Sequence, residues 1–216
     1  MKFKTAVGAA LLGLLLGIPA ASAAGSAGEG ARSEPKKQFA TEYGKALPPI
    51  GFVQFCARSP GDCKPTGGRA ARLAMTPERW NLLYQVNTYV NGKISPVSDQ
   101  ELYGQPEFWA YPSDAGDCED YLLLKRRYLM SLGFPADALL ITVVLDEKDE
   151  GHAVLTVTTA KGDYILDNRR NEILRWSDAE YTFLKRQSPR DPRSWVALSK
   201  TRTQTSGFVS GGSESR

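Results

Sequence analysis

Three side chains in the second half of the sequence have the types needed for nucleophilic chemistry: Cys118, His152 and Asp167. A cysteine in the first turn of a helix lies near unpaired backbone N–H groups, which lower the pKa of its thiol. A thiolate nucleophile needs a base that takes its proton and later returns it to a leaving group, and His152 is the only histidine. Asp167 could accept the second imidazole N–H. Together these residue types make a Cys-His-Asp triad one hypothesis for the site.

The strand pattern decides whether His152 and Asp167 can meet. Alternation predicts strands over 152–159 and 164–166, and both side chains fall on one face of this hairpin. A turn centred on Lys161-Gly162 would place His152 opposite Asn171 and leave Asp167 about 13 Å away along the strand. A bulge or an earlier turn would bring Asp167 close, so Asn171 stays open as the alternative orienting residue.

Each of these residues also has a reading without chemistry. A lone cysteine of an exported protein is often a buried packing residue, and a histidine at the head of a strand is usually on the surface. Asp167-Asn168 after a strand is typical of a turn. Spacing alone therefore leaves the triad as one hypothesis among several.

The other two cysteines predict a disulfide. Cys56 and Cys63 bracket a turn-forming hexapeptide, and an oxidising compartment allows them to close a small loop. A metal pair is the weaker alternative, because His152 is remote and no second cysteine pair completes a zinc set. Cys118 is then the unpaired thiol.

Periodicity and caps predict an α+β domain with helices first and an antiparallel sheet after them. The Cys118–Leu132 run predicts a central, largely buried helix that ends at Gly133. The remaining predicted elements are a strand over Ile50–Cys56, a helix over Pro77–Val90 capped by Thr76, strands over Leu139–Leu145 and Ser194–Ser199, and a short helix starting at Ser177 with Trp176 and Tyr181 as a hydrophobic staple.

Both ends of the chain differ from this domain. Residues 1–23 carry Lys2, Lys4, an apolar run and Ala21-Ser22-Ala23, the pattern of a cleaved secretory signal peptide. Residues 24–47 predict a flexible leader, 48–200 the folded domain and 201–216 a flexible tail, because both flanks are rich in Gly and Ser without hydrophobic period. The expected location is the periplasm or the secreted space.

Composition excludes several classes of protein. A hydrophobic content of 42% and a charged content of 24% are those of an ordinary globular protein. The formal charge of +3 includes Lys2 and Lys4, so the processed chain is nearly neutral. It contains no basic stripe, which argues against a nucleic-acid partner.

Three strings resemble the bacterial transglutaminase-like cysteine proteinases: residues 116–121 (Gly-Asp-Cys-Glu-Asp-Tyr) opening a helix, 152–155 (His-Ala-Val-Leu) and 166–168 (Leu-Asp-Asn). The resemblance extends over about residues 50–195, with one departure at Leu122, where a smaller residue is usual. Supporting marks are Phe55-Cys56 with Cys63, Val86-Asn87 with Val90-Asn91, and Phe108-Trp109-Ala110.

The resemblance implies a papain-like or transglutaminase-like fold, in which a central helix carries the cysteine and packs on an antiparallel sheet that carries His and Asp. By the family motif Cys118 is the nucleophile, His152 the general base and then acid, and Asp167 the orienting carboxylate. The best-known branch of the family releases large adhesins from the outer surface of Gram-negative cells by cleaving them from the periplasmic side. The predicted function is therefore a periplasmic cysteine endopeptidase acting on a protein substrate such as an adhesin. An inhibitory or tethering membrane-protein partner would restrain it.

The same branch uses calcium bound by acidic residues beside the cysteine, which here implies Asp117, Glu119 and Asp120 as ligands. Carboxylates beside a thiolate weaken it as a nucleophile, and a cation would offset that repulsion. Without a metal, Asp117 would cap the helix and the other two carboxylates would complement its dipole.

Two other functions fit the same residues. One is transglutaminase or amidase action on amide side chains or small peptides. The other is a non-catalytic binding module on the same fold, which predicts an ordinary thiol at Cys118 and a tolerated Cys118→Ala change.

Overall fold

A computed structural model describes residues 37–65 and 72–200 of the chain. The predicted signal peptide, residues 1–23, and the predicted tail, residues 201–216, lie outside the described residues. In the described part, no helix is long and apolar enough to cross a membrane.

The centre of the domain is a seven-stranded antiparallel sheet in the order β1-β9-β8-β4-β5-β6-β7. Its long central strands are rich in Val, Ile, Leu and Thr, which pack well on a pleated surface. The strands are β1 Lys45–Ala46, β4 Leu139–Leu145, β5 Gly151–Thr159, β6 Gly162–Leu166, β7 Leu174–Arg175, β8 Thr182–Gln187 and β9 Trp195–Ala197. A separate parallel pair joins β2 Ser95–Pro96 to β3 Ala115–Gly116.

In the described part of the chain, four α-helices accompany the sheet: α1 Ile50–Arg58, α2 Pro77–Lys93, α3 Asp99–Tyr103 and α4 Cys118–Ser131. Thr76 caps α2 as predicted, because its side chain accepts the N–H of Arg79 at 3.3 Å. Helix α4 is the predicted buried helix, and Gly133 follows it with φ of +85°, the left-handed conformation that ends many helices. The predicted α+β class is confirmed.

The sheet has a hydrophobic cluster on each face. The larger cluster joins α1, α2 and α4 to one face of the sheet and includes Phe52, Leu83, Leu123 and Leu155. The smaller cluster covers the other face around Val144, Val154, Ile165, Ala179, Phe183 and Leu198. Strand β5 is buried along its whole length because it packs on both clusters.

The predicted strand over Ile50–Cys56 is wrong, since these residues form helix α1. Phe52 and Phe55 are buried while Ile50 and Val53 are exposed, which is the three-residue spacing of a helix face. Cys56 lies in this helix and forms the predicted disulfide with Cys63 of the following 3-10 turn, with Cα atoms 5.7 Å apart.

Two further segments differ from the expectations. From residue 37 onward, the segment predicted as a flexible leader packs on the sheet, where Asp163 accepts the N–H of Ala40 at 3.1 Å and β1 pairs with β9. Strand β8 carries the buried Arg186, which donates to Asp163 and to Glu42 at 2.9 Å each. A charged strand becomes buried only through such partners, which lie far away in the sequence.

Replacement of Leu155 by alanine tests the importance of β5. Leu155 is fully buried in the larger cluster, so its truncation should lower the free energy of unfolding by about 2–5 kcal/mol. Leu132→Ala is the matched control, because Leu132 is 48% exposed and its loss should cost less than about 0.5 kcal/mol. Urea unfolding of the two variants measures both values. Equal losses would contradict the central role of β5.

Candidate active site

Cys118 is the first residue of α4 and is buried against β5. Its thiol donates a hydrogen bond to Glu119 Oε2 at 3.0 Å, and its sulfur accepts the backbone N–H of Ala153. The nucleophile candidate thus lies against the residue that directly follows His152.

His152 and Asp167 are in direct contact, with Nε2 of the imidazole 3.0 Å from Oδ1 of the carboxylate. The contact exists because Thr159 pairs with Gly162, so the β5–β6 turn consists of residues 160 and 161 and lies one residue earlier than a turn centred on Lys161-Gly162. The pairing of β5 with β6 ends at Leu155 opposite Leu166, and Asp167 follows directly. The earlier turn left open by the sequence is therefore the one observed.

Asn171, the alternative orienting residue, is occupied elsewhere. Its backbone carbonyl accepts a hydrogen bond from Asn87 at 3.1 Å, and its side-chain oxygen accepts one from Asn91 at 3.0 Å. Asn91 also donates to the carbonyl of Asp167 at 2.9 Å. The two asparagines of α2 therefore hold the loop that follows β6, and Asp167 is the residue that reaches the imidazole.

Hydrogen bonds and one ion pair from the described residues hold the Asp167 carboxylate. Oδ1 accepts from His152 and from the N–H of Arg169 at 3.0 Å, while Oδ2 accepts from the Tyr181 hydroxyl at 2.5 Å. Arg170 Nε lies 3.6 Å from Oδ2. Burial by itself would raise the pKa of Asp167, but the hydrogen bonds and the His152 charge hold it well below its usual range. Asp167 is therefore an anion at neutral pH.

The thiol and the imidazole make no direct hydrogen bond in the part of the chain that the structure describes. Alternation along β5 turns Ala153 toward α4, while His152 turns toward Asp167 and the ring of Tyr181. Cys118 and His152 thus meet the same end of β5, with the thiol held by Glu119.

Three buried carboxylates lie beside Cys118: Asp99, Asp117 and Glu119, each with an oxygen within 4.8 Å of the others. Asp120, which the sequence prediction included, lies outside this group, and its Oδ1 accepts the N–H of Ala110 at 2.7 Å. Asp117 is at the N-cap position of α4 but makes no capping hydrogen bond. The helix-capping alternative therefore does not account for Asp117.

Burial is the main cause of the raised pKa values in this region. It raises the pKa of Asp117 to about 7, with Asp99 adding to the effect, and that of Asp120 to about 8. The pKa of Glu119 is also well above its usual range because of burial and the Asp117 charge. The site thus holds protons on groups that are ionised in water.

The thiol is affected in the same direction. Burial first, and then the charges of Glu119 and Asp117, raise the pKa of Cys118 well above its usual value. The sequence predicted a lower pKa from the helix start. Burial and the nearby carboxylates together outweigh the effect of the helix start on the pKa of the thiol.

The carboxylate group fits a hard cation such as calcium. Among the described residues, Asp99 Oδ1 and Asp117 Oδ1 are buried without a hydrogen-bond partner, and an unpaired buried anion is costly. Three carboxylates are the oxygen donors that calcium takes. A bound cation would also relieve the repulsion that raises these pKa values.

The description "Bacterial transglutaminase-like cysteine proteinase BTLCP" belongs to the family model that matches residues 42–203. The chain belongs to this family. Its matched region contains α4 and all the strands from β1 to β9, and therefore every residue of the candidate site. Membership makes the chain a cysteine-peptidase homologue.

Three solved structures of LapG from Legionella pneumophila are similar to the chain. The first is 25% identical with a TM-score of 0.45, covering 52% of this chain and 65% of that one. A calcium-bound form is 23% identical with a TM-score of 0.49, covering 63% and 78%, and an EGTA-treated form is 25% identical with a TM-score of 0.47, covering 60% and 72%. No curated protein matches the chain.

Two residues of the site were missed from the sequence. Asp99 follows Ser98, whose side chain forms a capping box with Glu101 at the start of α3, and this Ser-x-x-Glu pattern was available as a signal. The sequence predicts Tyr181 as part of a hydrophobic staple at a helix start, but Trp176–Asp178 is only a 3-10 turn and Tyr181 contacts Asp167. No local pattern indicates that contact.

Asp117→Asn should change the pH dependence of stability in chelator. Buried carboxyls with raised pKa values keep protons that the unfolded chain releases near pH 4. Their contribution to the free energy of unfolding is therefore complete below that pH and is lost as the pH rises toward 8. Each such group contributes a slope of about 1 kcal/mol per pH unit. The variant should flatten the decline between pH 5 and pH 7, as measured by urea unfolding. Asp191→Asn, on a surface loop, should retain the full decline, and an unchanged slope in Asp117→Asn would contradict the analysis.

Proposed function

We propose that this protein is a periplasmic cysteine endopeptidase that cleaves a protein substrate by acyl transfer to Cys118. The observation that carries the proposal is the His152–Asp167 pair at the end of β5 that also touches Cys118. The family contributes the peptidase class. A surface adhesin is the substrate class that we propose, by analogy with the best-known branch of the family.

In the proposed reaction the Cys118 thiol turns from Glu119 toward the imidazole. Asp167 holds the Nε2–H of His152, so Nδ1 is the nitrogen that takes the thiol proton. The thiolate attacks a substrate carbonyl and forms the C–S bond. The imidazolium then gives its proton to the leaving amine as the C–N bond breaks.

Water completes the cycle. The neutral imidazole takes a proton from a water molecule while the water oxygen attacks the thioester carbon and forms the C–O bond. The C–S bond then breaks, the imidazolium returns the proton to the sulfur, and the carboxylic acid product leaves. The backbone N–H groups in the first turn of α4, including that of Cys118, are the donors that we propose for the oxyanion. Their positive dipole end lies beside the reacting sulfur.

We propose calcium as the cation of the carboxylate group, held by Asp99, Asp117 and Glu119. The role of Asp120 as a further ligand stays a prediction, although its Oδ2 is buried without a hydrogen-bond partner among the described residues. When bound, calcium supplies positive charge beside the thiol. The chain itself supplies Glu119, which holds the thiol proton when the carboxylates are not neutralised.

Export to the periplasm rests on the sequence of residues 1–23 and on the Cys56–Cys63 disulfide, which persists in oxidising compartments. A protease in that compartment needs restraint, so we also propose an inhibitory or tethering membrane-protein partner. Crosslinking of the Cys118→Ala variant in cells, followed by recovery from membranes, tests this. Recovery without a partner, together with broad cleavage of unfolded proteins, would count against it.

Substitution of the triad tests the reaction. Cys118→Ala and His152→Ala should each reduce hydrolysis of a peptide library by at least about 1,000-fold, since the residues act as one unit. Asp137→Asn, a buried aspartate outside the site, should keep activity within about twofold. Mass spectrometry of the products distinguishes hydrolysis from capture of an added amine, which would support transglutaminase action instead. Full activity in Cys118→Ala would overturn the proposal.

Calcium should stabilise the protein through the same carboxylates. At calcium concentrations 100-fold above Kd, binding should raise the free energy of unfolding by about 3 kcal/mol. Asp99→Asn should lose most of this response, whereas Asp191→Asn should keep it. Thermal unfolding in calcium, magnesium and EGTA measures the shift, and an equal response of the two variants would place the ion elsewhere.

A further inference from the structure

Tyr181 touches both members of the His152–Asp167 pair. Its hydroxyl donates to Asp167 Oδ2 at 2.5 Å, and its ring packs edge-on against the imidazole with centroids 5.6 Å apart. The oxygen that it binds is the one that His152 does not use. Tyr181 therefore holds the carboxylate at one oxygen while the imidazole takes the other.

The other contacts of Asp167 do not fix the rotation of its carboxylate, so this role falls to the Tyr181 hydroxyl. The N–H of Arg169 shares Oδ1 with His152, so it does not fix Oδ2. The Arg170 guanidinium lies 3.6 Å from Oδ2, beyond a normal hydrogen bond. Without the tyrosine hydroxyl, the carboxylate would be free to rotate about its Cβ–Cγ bond and lose its alignment with the imidazole.

The backbone before Tyr181 adopts a conformation that side chains other than glycine rarely accept. Glu180 has φ of +52°, in the left-handed region. It connects the 3-10 turn Trp176–Asp178 to Tyr181, directly before β8. Such outliers persist where the surrounding structure holds them, and they cluster at functional sites. Here the outlier lies directly before Tyr181, where the chain reaches the pair.

We propose that Tyr181 is a positioning residue that acts through Asp167 to hold the His152 ring in the orientation that serves Cys118. This inference rests on the proposed function and extends the triad by one residue. The charged or titratable groups that face Asp167 are His152 from β5, Lys125 from α4, Arg169 and Arg170 from its own loop, and Tyr181. Among residues 37–65 and 72–200, only Tyr181 contacts both the carboxylate and the imidazole ring.

Tyr181→Phe removes the hydroxyl and keeps the ring. We expect it to lower kcat about tenfold on a peptide cleaved by the wild type, with KM unchanged, because one hydrogen bond to a charged group is lost. The rate of Cys118 alkylation by iodoacetamide at pH 7 should fall by a similar factor. Cys118 is the only cysteine outside the disulfide, so the reaction is specific. Tyr164→Phe, whose ring packs on Trp80, is the matched control and should keep both rates.

A double-mutant cycle separates positioning from mere structure. If Tyr181 acts through Asp167, Tyr181→Phe should cost nothing further in the Asp167→Asn background. Losses that multiply in the double variant, a change in KM alone, or no loss in the single variant would each overturn the inference. Circular dichroism and the Tm of every variant verify that the fold is retained.

The pH profile gives an independent readout. The tyrosine hydroxyl helps to keep the pKa of Asp167 low, so its removal should raise that pKa. Activity that needs the Asp167 anion is present above this pKa and lost below it, so the acid limb of the pH–activity profile should move to higher pH in Tyr181→Phe.

If Cys118→Ala and His152→Ala retain activity, the proposed function fails. If they abolish it and Tyr181→Phe changes nothing, only the role of Tyr181 fails.

Discussion

The whole site depends on strand β5, which is buried on both faces and has to pack correctly against the elements on each face at once. On one face Ala153 and Leu155 pack with α4, and the N–H of Ala153 reaches the sulfur of Cys118. At the same end of the strand, the neighbouring His152 meets Asp167. A slip of one residue in the pairing of β5 would move Ala153 and His152 away from these partners, so the register of this strand determines both contacts.

The two-residue turn between β5 and β6 maintains that register. It pairs Thr159 with Gly162, and the Thr159 hydroxyl donates to the Gly162 carbonyl at 2.8 Å. Gly162 has φ of +140°, which a glycine adopts without strain. The position of Asp167 beside the imidazole is thus set by a turn several residues away, with the α2 asparagines holding the loop behind it.

Much of this arrangement could be predicted from local sequence. Helix α4 has an apolar run and a glycine stop, and β4 has a β-branched run whose predicted bounds, Leu139–Leu145, are those observed. The pattern of Ile50–Cys56 predicts a strand where the structure has helix α1, because a nine-residue helix and a short strand differ little in their hydrophobic pattern. Strand β8, Asp99 and Tyr181 depend on partners distant in the sequence, and no periodicity reports such contacts.

The acidic residues beside Cys118 couple the state of the thiol to the charge of their neighbours. Glu119 can accept the S–H of Cys118 only while its Oε2 atom binds no other group. Glu119 also shares a hydrogen bond with Asp117. Neutralising this group with a cation would draw Glu119 toward the ion and lower the cost of a thiolate. The proposed cation would therefore relieve the charges that oppose the nucleophile. The contacts that assemble the His152–Asp167 pair come instead from Tyr181 and from the loop after β6.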